Sequence, residues 1–305
     1  MSRIDNKHLI AERSELRRFL AEIPQQNVID RASFTSRLNQ VEKQLKETSE
    51  YEPAKARLRF KGRPVVGSYG IFAEFGLSAS KAFADAVTLL AASFLKPLSP
   101  SGPVPNRELY QLLITGPALG SFGFEFEEYG DAEPVFGDKT IVGIALDATQ
   151  DLLRGSVGTD DELAEAASGT DPRALQAIRA FLETMYLNQA TCAVEFKNRT
   201  FQFRDVGEVR KSWERLGQEN LHEELLTVEG VFEGVLPRLR TFEFRVKDTG
   251  ELVTGKIGPG VDDPHILNKH LHDLARITIQ ATKVGSGRPR YVLYSLPEWS
   301  EPPSF

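Results

Sequence analysis

Thr241-Phe242-Glu243-Phe244-Arg245-Val246-Lys247, then Asp248-Thr249-Gly250, then Leu252-Val253-Thr254-Gly255-Lys256-Ile257, is the stretch whose reading decides the fold. Apolar and polar side chains alternate strictly through its first part, the period of a strand with one dry and one wet face. Asp248-Thr249-Gly250 reads as a hairpin turn, because glycine takes positive φ without a steric penalty. Upstream, residues 226–236 carry Val228, Val231, Phe232 and Val235 and form a first strand. Downstream, Asp262-Asp263-Pro264 opens a helix through Ile266, Leu267, Leu271 and Leu274, with Pro264 in the first turn, where its missing N–H is no loss. Ile277-Thr278-Ile279-Gln280-Ala281 alternates again, and Gly285-Ser286-Gly287 turns the chain into a last strand over 291–296. Five strands with a helix between the third and fourth outline an OB-like small β-barrel, and closing it would remove exposed strand edges.

Barrels of this kind hold oligonucleotides or other extended ligands, or serve as docking modules. A nucleic-acid groove needs cations that follow phosphates and exposed aromatics on which bases stack. Arg238, Arg240, Arg245, Lys247, Arg288 and Arg290 would supply a basic rim. Phe242 and Phe244, however, share a face with Val246, which makes them core residues rather than stacking platforms. Residues 226–300 hold ten Lys and Arg against nine Asp and Glu, so this segment is close to neutral and the rest of the chain carries the acidity.

The remaining sequence divides into three parts. Residues 1–52 read as a helical hairpin: Leu9, Leu16, Phe19, Leu20 and Ile23 line one helix, and Phe34, Leu38, Val41 and Leu45 form a narrow seam on the other. Residues 53–155 read as an α+β domain, with strands near 57–60, 109–115 and 121–127, a helix starting at Ser78 or Ser80, and a helix over 141–153. An acidic connection spans 128–138, and residues 155–160 read as a hinge. Residues 156–222 form a helix–hairpin–helix α+β block: Asp171-Pro172 caps a helix, and a hairpin turns at Lys197-Asn198. With the barrel at 223–305, the fold class is α+β, an N-terminal helical hairpin and two α+β blocks preceding the barrel.

Composition narrows the function. A formal charge of −6 argues against a general DNA coater or a polybasic membrane binder. No apolar run is read as a membrane span, and residues 1–5 lack the apolar stretch of a secretory signal. One cysteine, Cys192, excludes an intramolecular disulfide and a multi-cysteine zinc site, and fits a reducing cytoplasm.

Few residues are spaced for chemistry. His265, His270 and His272 do not share a helix face, so no metal site is read there. Glu195-Phe196-Lys197 matches the strand-borne Glu-x-Lys of metal-dependent nucleases, but Lys197 falls at a hairpin tip. Glu125, Glu127 and Glu128 are a candidate acid–base set that reads equally as solvated charge. Cys192 has no cation beside it in sequence and reads as a buried thiol. Gly67-Ser68-Tyr69-Gly70 and Gly120-Ser121-Phe122-Gly123 repeat one pattern, and N–H groups in Gly-rich turns can cradle an anion. Gly67, Ser68, Gly70, Gly120, Ser121 and Gly123 are therefore the candidate ligand residues, against the plainer reading of two tight turns. No P-loop and no strand–GxGxxG–helix unit occurs.

Phe60-Lys61-Gly62-Arg63-Pro64-Val65-Val66-Gly67-Ser68, Leu119-Gly120-Ser121-Phe122-Gly123 and the barrel segment resemble stretches of bacterial α+β proteins with a C-terminal small barrel. That resemblance implies a bacterial origin and carries no activity with it. The resulting expectation is a non-catalytic cytoplasmic regulatory or assembly protein acting through protein or ligand binding, with no catalytic residue, cofactor, metal or membrane contact. Its partners would be a second copy, through the N-terminal helices, and another protein. The alternatives are a nucleic-acid-binding protein using the barrel rim, with Glu195 and Lys197 cutting as a metal-dependent nuclease, and a nucleotide or anion sensor using the two Gly-Ser turns.

Overall fold

The computed structural model describes residues 3–24, 26–48, 53–118, 122–129, 139–217 and 219–299. Helices α1 (Arg3–Glu22) and α2 (Val28–Thr48) form an antiparallel pair with a small core of its own, in which Leu9, Leu16 and Val41 are buried. Phe34, Leu38 and Leu45 pack there half-buried. Ion pairs Arg17–Glu42 (2.8 Å) and Arg37–Glu12 (2.6 Å) cross between the two helices and help fix their alignment.

Strands β1 (Lys55–Gly62), β2 (Val65–Val66) and β3 (Gly70–Ile71) lead into α3 (Ala73–Ser93). After a 3₁₀ turn at Arg107–Tyr110 come β4 (Leu112–Pro117), β5 (Gly123–Glu128), α4 (Ile141–Val157), α5 (Asp160–Ala167) and α6 (Pro172–Leu187). The hairpin β6 (Ala190–Phe196) and β7 (Arg199–Gln202) and helix α7 (Val206–Arg215) complete the layer. The two α+β blocks share one sheet: β1 pairs with β5 on one side and with β6 on the other, in the order β4-β5-β1-β6-β7. The sheet buries one face. Ala56, Leu58 and Phe60 of β1 enter a core with Phe83, Phe126 and Phe181, whose rings meet at 5.2 and 5.8 Å about Phe83. The other face is a ladder of charge, Lys55–Glu127, Arg57–Glu125 and Arg59–Glu195, as alternate residues of a half-buried strand require.

Helix α3 begins at Ala73, ahead of the Ser78 or Ser80 start, because the chain leaves β3 directly into the first turn and Gly76 N–H donates to Phe72 O. It also corrects the reading that no run could span a membrane: its length and mean hydropathy of 1.2 suffice. Its apolar stripe, Phe75, Ala79, Phe83, Ala86, Val87 and Leu90, is instead buried in the layer. The expected hinge at 155–160 narrows to Gly158-Thr159. Helix α4 continues through Gly155, and Thr159 with Glu162 closes a capping box that starts α5. The connection over 130–138 lies outside the described residues.

The C-terminal strands are β8 (Leu221–Leu236), β9 (Thr241–Val246), β10 (Leu252–Ile257), β11 (Leu274–Val284) and β12 (Arg290–Leu293), with β13 (Glu298–Trp299) added beside β11. They pair in the cycle β8-β9-β10-β12-β11-β8, a closed five-stranded barrel in which only β10 and β12 run parallel. Phe232, Phe242 and Phe244 are buried in its core, with ring centroids 5.0 and 6.0 Å from Phe232. The expected helix through 274 is shorter. Helix α8 spans only His265–Asn268, because His272 takes a left-handed φ of 66° and its N–H goes to Phe232 O, drawing the chain back onto β8.

Long β8 bends to serve both neighbours, and Gly230 sits at the handover, paired with Val246 of β9 and Ala275 of β11. A Cβ there would lie 2.0 Å from Arg245 O. Gly230→Ala is expected to cost about 1–3 kcal/mol through forced strand separation, read as a lower urea midpoint at unchanged slope. A second expectation concerns Glu128, buried beneath α4, where its Oε2 accepts from Thr140 Oγ1 (2.7 Å) and Ala54 N (3.1 Å). Burial pushes its carboxyl above the ordinary value, and these two hydrogen bonds only partly oppose that. A carboxyl raised on folding binds its proton more tightly when folded. Its ionisation therefore weakens the fold as pH rises from the unfolded value through the folded one. The stability of Glu128→Gln relative to the parent should be more favourable at pH 7.5 than at pH 4.5; a difference constant with pH would contradict this.

Candidate functional site

The barrel core and the layer core are separate hydrophobic clusters. Between them lies a cleft of about 900 Å³. Its apolar floor comes from Phe94 and Leu95 after α3, Ile144 and Ala148 of α4, and Ile257, Val261 and Val292 of the barrel. Arg154, Asp161, Glu162, Glu165, Lys256, Asp262 and Arg290 ring it with charge. A second cavity of about 630 Å³ runs along β9 and β10 and shares Glu165, Ser168, Lys256 and Arg290 with the first. Volumes and linings of this kind, at a junction between packed units, suit small-molecule sites.

Helix α5 sets one wall. Its apolar side, Leu163, Ala164 and Ala167, is buried in the layer, which turns its acidic side to the barrel. Asp160 accepts from Arg215 (2.8 Å) and from Ser286 N–H (3.3 Å), and Asp161 accepts from Arg288 N–H (2.7 Å). The Arg215 guanidinium and the Ser286 amide hold Asp160's carboxyl below its usual range. The β11–β12 turn thus is a Gly-rich turn that binds anions through its backbone, the anions being carboxylates of α5. Gly285 has φ 49°, and a Cβ there would meet Asp160 Oδ2 at 2.6 Å. One helical turn on, Glu165 faces Lys256 Nζ at 2.7 Å and Arg290 Nε at 2.9 Å. Burial pushes the Glu165 carboxyl up, but the two cations together outweigh it and hold it below its ordinary value.

Arg240 holds the opposite wall. It takes a left-handed φ of 50°, and its guanidinium donates to Ile257 O (3.0 Å), Gly258 O (2.6 Å) and Val261 O (2.8 Å). Burial lowers its pKa, with Asp262 acting the other way. The residue ties down the loop after β10 and so shapes the cleft floor.

The residues singled out from sequence fall in several places. Gly67 and Ser68 lie in the β2–β3 turn and Gly70 opens β3; a Cβ on either glycine would meet open space, and the three line neither large cavity. Gly123 opens β5 opposite Arg59 of the neighbouring strand β1, and a Cβ there would sit 2.2 Å from Leu58 O. Gly120 and Ser121 lie outside the described residues. Of the basic rim, Arg240 is spent on carbonyls, Arg245 pairs with Glu233 (2.6 Å) and Arg290 with Glu165, while Arg238, Lys247 and Arg288 are exposed. Glu195 pairs with Arg59, and Lys197 sits at the hairpin tip with φ 52° and its ammonium 5.2 Å from the Phe196 ring centre. Glu125 and Glu127 belong to the charge ladder, apart from buried Glu128. His270 pairs with Asp273 (3.0 Å) and lies against Trp299, while His272 is 3.9 Å from Glu233. Cys192 is buried, and desolvation pushes its thiol far above the ordinary range, leaving a poor nucleophile.

Reasoning along the sequence missed Lys256, Glu165 and the Asp160-Asp161 pair. The one local signal was Thr159-x-x-Glu162, which marks the start of a helix at α5 and so the presence of an acidic wall. Comparison with protein-family models, curated proteins and solved structures gave no match to this chain.

Proposed function

We propose that this protein acts by binding, taking a small, partly apolar ligand in the cleft between α4, α5 and the barrel. The cleft itself carries the reading: about 900 Å³, an apolar floor, and charged groups confined to its rim. The rim is well ordered by its own contacts. Arg240 braces the loop after β10, and the α5 carboxylates are matched to barrel donors. A ligand seated there would touch both units at once and so report its presence as a change in how the barrel rests on the layer. That is the behaviour of a regulatory or sensing protein rather than of one that makes or breaks bonds.

The N-terminal hairpin supports self-association as a second element of the proposal. Its seam leaves Phe34, Leu38 and Leu45 only half covered, and Phe19, Val28 and Ile29 stand exposed near its turn. A two-helix unit buries too little apolar area to be stable alone. A second hairpin from another copy would cover the rest.

Thermal-shift screening of nucleotides, sugars, amino acids and amphipathic acids tests the cleft, since a compound that binds only the folded chain must raise its melting temperature. At least one compound is expected to stabilise the parent protein, and Ala148→Trp, which fills the floor from α4, should abolish that effect. Stabilisation that survives Ala148→Trp unchanged would place the site elsewhere. Light scattering of the full chain across concentrations should give a mass of at least two copies; a monomer at the highest concentration would end the self-association element.

A further inference from the structure

We propose that Lys256 and Arg290 hold an anionic end group, a phosphate or a carboxylate, of the ligand taken by the cleft, with Glu165 as a built-in competitor for the same two cations. This rests on the cleft reading above and goes on to name the chemistry of the ligand.

Two cations face one carboxylate here, Lys256 at 2.7 Å and Arg290 at 2.9 Å from Glu165, so the pairing leaves one positive charge unmatched. Among the described residues no other acid lies within ion-pair distance of Lys256 or Arg290. Asp160 is paired with Arg215 and the Ser286 amide, Asp161 with the Arg288 amide, and Asp151 with Arg199. Glu162 is turned back onto neutral Thr159 in the capping box, so that it and Asp161 keep their negative charge on the α5 wall, and Asp262 acts on Arg240. The surplus also sits where an anion could reach it. Lys256 and Arg290 line both cavities, and their side chains stay 43% and 32% exposed. Arg290 Nε is buried and within ion-pair distance of Glu165 yet makes no hydrogen bond, so that donor is left open. Glu165, with 52% of its side chain exposed, is free to turn away to solvent.

A guanidinium fork beside an ammonium is suited to the oxygens of a phosphate or carboxylate. An anion at this junction would leave the body of the ligand over Ile257, Val261 and Val292, in the larger cavity. It would also pull at the latch between α5 and the barrel, because it competes with an α5 side chain. A neutral or cationic end group would meet the surplus charge with nothing to offer it.

The test uses the full chain with inorganic phosphate, pyrophosphate and succinate, each against sodium chloride of equal ionic strength. At least one anion should raise the melting temperature beyond the chloride control, and should do so more in Glu165→Gln, where the competitor loses its charge. Calorimetry should show Lys256→Ala and Arg290→Ala each weakening that anion roughly tenfold or more, which corresponds to about 1.4 kcal/mol, with Lys256→Arg recovering most of the loss. Circular dichroism confirms that each variant is folded. Whichever of phosphate and succinate binds more tightly assigns the group. No protection by any of the three in either the parent or Glu165→Gln overturns the proposal, as does binding indifferent to both cation substitutions. If neutral compounds still stabilise the protein in a way that Ala148→Trp abolishes, the cleft reading stands and only the anion assignment fails.

Discussion

The barrel meets the helical layer through matched charge as well as through apolar packing, with Val284 of β11 and Leu221 of β8 set against the layer core. The two hydrophobic clusters stay separate, and beside those apolar contacts carboxylates of α5 meet backbone amides of the β11–β12 turn and the cations of β10 and β12. This follows from the amphipathic build of a short helix. With Leu163, Ala164 and Ala167 committed to the layer, Asp160, Asp161 and Glu165 have nowhere to point but toward the barrel. A seam of this sort cannot close as tightly as an apolar one, because each charged group needs room and a partner. The two cavities are the consequence.

Arg240 shows how the opposite wall is kept rigid. Taking a guanidinium partly out of water is costly, and the three carbonyls it receives offset that by supplying acceptors in the fork geometry the group requires. The same side chain is the one cation of the expected nucleic-acid rim that is least able to reach a phosphate. Arg245 and Arg290 are likewise engaged by Glu233 and Glu165, while Arg238, Lys247 and Arg288 stay exposed. On the proposed reading, a ligand entering the seam would meet preformed donors and an internal rival for them, which would tie occupancy to the set of the barrel against α5.

Much of the fold was legible along the chain because it rests on local periodicity. Alternation over 241–247 marked β9, the turn at 248–250 marked the hairpin, and Asp171-Pro172 marked the start of α6. Phe242 and Phe244 were readable as core for the same reason. Errors gathered where a distant contact overrode local preference. The helix expected through 274 stops after Asn268, since His272 is drawn to Phe232 O on another strand, and α4 runs on through Gly155, whose lack of a side chain lets Leu163 and Ala166 of α5 pack close. The membrane-span reading failed for a related reason: α3 has the composition of a spanning helix, and only packing shows its stripe enclosed by protein.

The candidate site was scarcely visible in advance. Glu165, Lys256 and Arg290 stand far apart along the chain, and nothing in the spacing of single charged residues tells which will meet. The amino-acid sequence by itself determined the kinds of element, the barrel's strand order along the chain, the hairpin seam and the buried state of Cys192, since each depends on hydrophobic patterning within a few residues. Only the tertiary structure decided that β1 joins both α+β blocks into one sheet, that the barrel closes through a parallel β10–β12 pair, and that acids of α5 meet cations of the barrel. Those are pairings between remote segments, and they are set by which buried surfaces fit together rather than by any local preference of the chain.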